Sequence, residues 1–139
     1  MTASEFLQHE LADLDFMLDK VYEGIDEQAL DLKMTSQAMT AREIAVHLAE
    51  CYLAAHEVAN GRKYPWGTYK AETTAWPALF QEMKTRRAAA VEACKSDSDE
   101  VLKAGYAYIV GHDSYHVGQL CLIRLEADAT WNAHCIYNM

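Results

Sequence analysis

The chain is poor in the residues that interrupt regular structure, with 2 prolines and 6 glycines among 139 residues. Beside 51% hydrophobic and 24% charged residues, that scarcity excludes collagenous and disordered chains and leaves one compact domain with a sizeable core. No apolar run approaches the roughly 20 residues of a membrane span. Met1-Thr2-Ala3-Ser4-Glu5 carries no basic stretch leading into an apolar one, so the expectation is a cytoplasmic protein. Basic residues are few as well, 12 against 21 acidic for a formal charge of −9. Lys84, Arg86 and Arg87 form the one basic cluster, a weak footprint for phosphates, so neither nucleic acid nor an anionic membrane is an expected partner. Cys51, Cys94, Cys121 and Cys135 make no C-x-x-C pair, which removes zinc ribbons and thioredoxin chemistry and predicts reduced thiols.

Strict apolar/polar alternation is also missing, whereas three- and four-residue spacing recurs throughout, and the reading is all-α. The first helix is expected from Ser4, as N-cap, to about Ile25, with Leu7, Leu11, Leu14, Leu18, Val21 and Ile25 along one face. Thr40 and Glu43 form a T-x-x-E capping box, after which Ile44, Leu48, Cys51 and Ala55 continue to a stop at Asn60-Gly61. A third helix is expected to open near Thr74 with Pro77 in its first turn, carrying Phe80, Met83, Ala90 and Cys94. A fourth runs from about Ser98 to Glu126. The short Lys95 to Asp97 link makes the third and fourth antiparallel. The Gly61 to Thr73 link reaches roughly 40 Å when extended, enough for a crossover along a bundle. Residues 127–139 show no period and read as a tail or a packed cap.

On a wheel of about 100° per residue, Val101, Leu102, Gly105, Tyr108, Ile109, Leu120 and Ile123 share a stripe with His112, His116 and Gln119 at its middle. Buried polar groups cost on the order of 1–3 kcal/mol each when unsatisfied, so something in the interior must meet them. Imidazoles at i and i+4 can place two nitrogens on one metal ion. His47, on the flank of the second helix's apolar stripe, supplies a third. It lies about 10 Å into its helix, and His112 and His116 lie roughly 15–21 Å from the end of theirs, so antiparallel packing brings the three to one level. His9, His56 and His134 have no such placement.

Other readings stand beside these. The histidines read alternatively as satisfied core residues. Cys51 is either a small buried hydrophobe or a fourth ligand. Glu43 caps its helix or supports His47 from behind, and Glu50 is either a solvated carboxylate or a proton acceptor near the site. Asp113, turned about 100° from the ligand face, is expected to pair with a neighbouring helix. Tyr108 and Tyr115 line the pocket or pack, and Glu50, Tyr108 and Gln119 are the candidate catalytic groups. No H-E-x-x-H, Glu-x-x-His or G-x-S-x-G motif occurs, which disfavours zincin, di-iron and serine-hydrolase chemistry.

Thr40-Ala-Arg-Glu-Ile-Ala-Val-His47 and Gly111-His-Asp-Ser-Tyr-His-Val-Gly-Gln119 together resemble the DinB-like (DinB/YfiT) superfamily of metal-dependent enzymes. The resemblance implies one four-helix-bundle domain over residues 1–139, with up-down-down-up topology and a long crossover between helices two and three. It also implies a homodimer, and one divalent ion (nickel, zinc, iron or manganese) held by His47, His112 and His116. Reactions in that group span thiol-dependent isomerisation, thiol transfer and hydrolysis. The expected function is activation of a low-molecular-weight thiol, as co-substrate, or of water, for attack on a small electrophile. Tyr64, Trp66 and Tyr69 are expected to form an apolar lip to the pocket. The alternative is a non-catalytic, stress-associated metal-binding bundle, and a third possibility is a metal-free scaffold.

Overall fold

The computed structural model describes residues 1–138, and all regular structure in them is helical. Helix α1 (Ala3–Tyr22) starts earlier than Ser4, because Thr2 forms the cap. Its hydroxyl accepts from the Glu5 amide at 3.1 Å, and the Glu5 carboxylate accepts from the Thr2 amide at 2.8 Å. The helix ends before Ile25, where Gly24 takes a left-handed φ of 66° that only glycine adopts cheaply. Leu7, Leu11, Leu14, Leu18 and Val21 are buried as the spacing requires. A single turn, α2 (Glu27–Leu30), capped by Asp26, sits in the link where no helix was expected.

Helix α3 (Ala41–Ala59) carries the anticipated Thr40/Glu43 box and stops at Asn60, with Gly61 at φ 77°. Helix α4 (Ala78–Ala93) begins four residues later than Thr74, with Pro77 at its cap position. Its inner face is Leu79, Met83, Arg87 and Ala90, and Phe80 is only half-buried. That stripe is masked in the sequence because an arginine occupies a core position.

The fourth helical rod starts at the Ser98 cap but is not one α-helix. Helix α5 (Asp99–Ala104) passes into a π-helical turn, Gly105–Val110, and then α6 (Gly111–Ala127). The wider turn takes up an extra residue and turns the following helix by about 100° from the straight extrapolation. The buried face of α6 is therefore Asp113, His116, Val117, Leu120 and Ile123, while His112 and Gln119, expected at its middle, lie half-buried at its edge. Gly105 marks a close approach, since a Cβ there would stand 2.9 Å from the Leu7 side chain.

Side-chain pairs show how the rods meet. Leu11, Asp15 and Asp19 of α1 meet Arg87 and Lys84 of α4 in reversed order, so those helices are antiparallel. Tyr52 and His47 of α3 meet Asp113 and His116 of α6, again reversed. Arg124 of α6 reaches the carbonyls at Val21 and Glu23, capping the end of α1. One apolar cluster drawn from all four rods forms the core. Beyond Ala127 the chain packs: Trp131 lies 5.1 Å from the Arg124 guanidinium, and a 3₁₀ turn, Ala133–Ile136, rests on α1. Met139, the last residue of that stretch, lies outside the described residues. Among the described residues no helix is long and apolar enough to cross a membrane, and all four cysteines are free thiols.

Candidate metal centre

His47 and Cys51 are one turn apart on α3 and share a face, opposite His112 on α6. Their donor atoms all lie within 4.8 Å of one another. His47 Nε2 and Cys51 Sγ are 3.6 Å apart. Two donors bound to one tetrahedral ion at about 2.1 and 2.3 Å are separated by about 3.6 Å, so this edge already has the spacing a divalent ion needs. Mixed imidazole and thiol donors suit a borderline ion such as zinc or nickel.

His116 adjoins the set without belonging to it. Its ring centroid is 5.1 Å from that of His47 and 6.3 Å from that of His112, and the His47 to His112 separation is 5.7 Å. Two of the three expected ligands, His47 and His112, are thus in the close cluster, and Cys51 is its third member. The signal for Cys51 was present in the sequence: His47-x-x-x-Cys51 has the same i, i+4 spacing as His112-x-x-x-His116.

Burial dominates the electrostatics. It lowers the pKa of His47, helped by the neighbouring His112, and pushes His116 down to about 4. Both rings are neutral at pH 7 and have lone pairs to offer. Burial also pushes the Cys51 thiol up to about 12, with Asp113 and Glu50 adding to the shift. Cys51 is consequently a protonated thiol until a cation replaces its proton.

The remaining expected residues fall into place individually. Glu50 is neither a free surface carboxylate nor a group aimed at the cluster. Its Oε2 accepts from the Tyr64 hydroxyl at 2.9 Å and from the Gly67 and Tyr69 amides at 3.1 and 3.2 Å, tying the long link to α3. Tyr108 packs on Trp66 at 5.9 Å, and Trp66 on Tyr64 at 5.2 Å. Glu43 is the partner of the Thr40 cap. Asp113 pairs with neighbouring helices through Arg87 and Tyr52. His9 and His134 are exposed, and His56 stands beside Glu57. The histidines open on a cleft of about 410 Å³ lined by Met39, His47, Ala107, His112, Tyr115 and His116. The aromatic residues of the link do not line it, so the expected lip sits to one side.

The chain matches no protein-family model, no curated protein and no solved structure.

Proposed function

We propose that this chain is a DinB-like, metal-dependent enzyme of the cytoplasm, built as an up-down-down-up four-helix bundle with the 61–73 link as its crossover. The reversed pairings of α1 with α4 and of α3 with α6 support that topology. The observation that carries the function is the His47, Cys51 and His112 cluster, whose two histidines line an open cleft while Cys51 is buried. A divalent ion bound there would act as a Lewis acid, lowering the pKa of a water or small thiol so that its anion is available near neutral pH. His47 and His112 hold the ion, with His116 or Cys51 as the third donor, and the cleft has room for a small electrophilic substrate. The bundle is proposed to work as a homodimer.

A second reading is favoured by one feature, the thiol in the donor set. Cys51 together with three imidazoles would close a tetrahedral site, and closed sites tie helices together rather than catalyse. The deciding experiment is elemental mass spectrometry on tag-free protein, followed by thiol-transfer and hydrolysis screens. Near one equivalent of metal per chain with turnover supports the enzyme, and metal without any turnover or exchangeable water supports the structural ion. A chain that neither carries nor takes up zinc, nickel, iron or manganese rules out both.

A further inference from the structure

The π-helical turn ends two residues before His112, and its hydrogen bonding bears directly on that ring. The Gly111 amide reaches back five residues to the Tyr106 carbonyl. The Gly111 amide, which in a regular α-helix would bond Ala107 O, bonds Tyr106 O instead, so it passes over the Ala107 carbonyl. A passed-over carbonyl needs a donor from elsewhere. His112 supplies it, with Nδ1 standing 3.0 Å from Ala107 O. A carbonyl oxygen only accepts, so this nitrogen carries the proton and the nitrogen left with a lone pair is Nε2.

The second imidazole of α6 is held in a parallel way by a side chain. His116 Nδ1 lies 2.7 Å from Gln119 Oε1, and the Gln119 amide donates from Nε2 to the Tyr115 hydroxyl at 3.2 Å. Gln119 thus bonds two consecutive residues one turn before it, which fixes its own position. His47 meets Cys51 through Nε2 as well.

We infer that the π-turn carbonyl of Ala107 and the Gln119 side chain are positioning groups that hold His112 and His116 as Nδ1–H tautomers, with both Nε2 lone pairs free for a borderline divalent cation. The inference rests on the metal reading above and deepens it. It gives the π turn a chemical purpose: a regular helix would pair Ala107 O with a backbone amide and leave His112 free to choose its tautomer. It also gives Gln119, which does not touch the cluster, a role exerted through His116. Outer hydrogen bonds of this kind orient imidazole ligands and raise their basicity.

The test is long-range ¹H–¹⁵N NMR of the histidine rings in the metal-free protein, paired with zinc titration of the wild type, Gln119→Leu, Gln119→Glu and a deletion of Tyr106. In the wild type both rings are expected as Nδ1–H. Gln119→Leu should lose that preference at His116 and weaken zinc binding by about 10- to 100-fold. Gln119→Glu, which keeps the acceptor, should restore both. Removing Tyr106 should return the turn to α spacing and release the His112 tautomer. If that deletion fails to fold, the wild-type spectrum and the Gln119 pair still decide. An Nε2–H signal at either ring of the wild type overturns the inference, since a reversed Gln119 amide would donate to His116. So does zinc affinity indifferent to Gln119→Leu. Failure of the wild type to bind zinc while both rings are Nδ1–H removes the metal reading and leaves the tautomer assignment standing.

Discussion

Arg87 places two N–H groups, from Nε and Nη2, on the same Asp113 oxygen at 3.0 and 2.9 Å, with 3% and 0% of the two side chains exposed. The guanidinium also donates to Leu11 O at 2.8 Å and Asp15 at 3.0 Å, and the Tyr52 hydroxyl donates to the other Asp113 oxygen. The Arg87 and Asp113 pair thereby joins α1, α3, α4 and α6. Tyr52 and Asp113 are each one residue from a member of the His/Cys/His cluster, Cys51 and His112. Burial pushes the Asp113 carboxyl upward, against the pull of Arg87. Breaking such a pair leaves an uncompensated charge in the interior.

Arg87→Ala should therefore cost about 3–5 kcal/mol in denaturant unfolding, far more than a surface arginine. The double replacement Arg87→Met with Asp113→Leu should recover much of that loss, because it removes both charges together. If the double variant is as unstable as Arg87→Ala, the cost lies in packing, and the ion pair is not its source.

Thr40→Ala should destabilise by about 1 kcal/mol through loss of the α3 cap. The cap at Thr2 is built the same way but is exposed, whereas Thr40 is buried, so Thr2→Ala should cost less. Equal losses from thermal unfolding of the two variants would show that α1 is held as firmly at its start as α3.

Stability should fall on the acid side partly through Glu43. The hydrogen bond from the Thr40 backbone amide holds its carboxyl below the ordinary glutamate range. A depressed folded pKa contributes stability that is complete above the unfolded value and lost as the pH falls through the folded one. Glu43→Gln should flatten that limb of a pH titration of melting temperature and leave the neutral plateau little changed. An unchanged acid limb would mean that other carboxylates account for it.

Cobalt should report the donor set directly. A cobalt-loaded protein with a thiolate ligand shows a sulfur-to-metal charge-transfer band, which Cys51→Ala would abolish and His116→Ala would leave. Loss of all cobalt binding in His47→Ala or His112→Ala is expected, since both lie in the close cluster. Saturating zinc at about 100 times its dissociation constant should add about 2.7 kcal/mol of stability, reversed by a chelator. Retention of the band in Cys51→Ala would exclude the thiol as a ligand.

Glu50→Gln should loosen the 61–73 link, because one carboxylate oxygen receives three bonds from it. Faster hydrogen exchange at the Gly67 and Tyr69 amides, with little change in global unfolding, is the expected pattern. If those amides keep their protection, the Trp66 to Tyr108 packing holds the link without the carboxylate.

Much of the helical skeleton is legible from residues alone. Leucines at three- and four-residue spacing, a T-x-x-E box and an Asn-Gly stop are local signals with local causes, and they mark α1 and α3 to within a few residues. His47 and His112 were visible for the same reason, since helix spacing and axial level are properties of the backbone repeat. Arg87 hid the α4 stripe, because a charge in a core position is stable only once Asp113, Asp15 and Leu11 O surround it. The π turn left no mark in the residue pattern, yet it rotated α6, moved Asp113 inward and carried His112 to the edge of the buried face. Which side chains meet across helices, Cys51 with two histidines or Glu50 with a distant link, depends on that rotation and on packing between rods. Those contacts join residues far apart in the chain, so no local period could encode them.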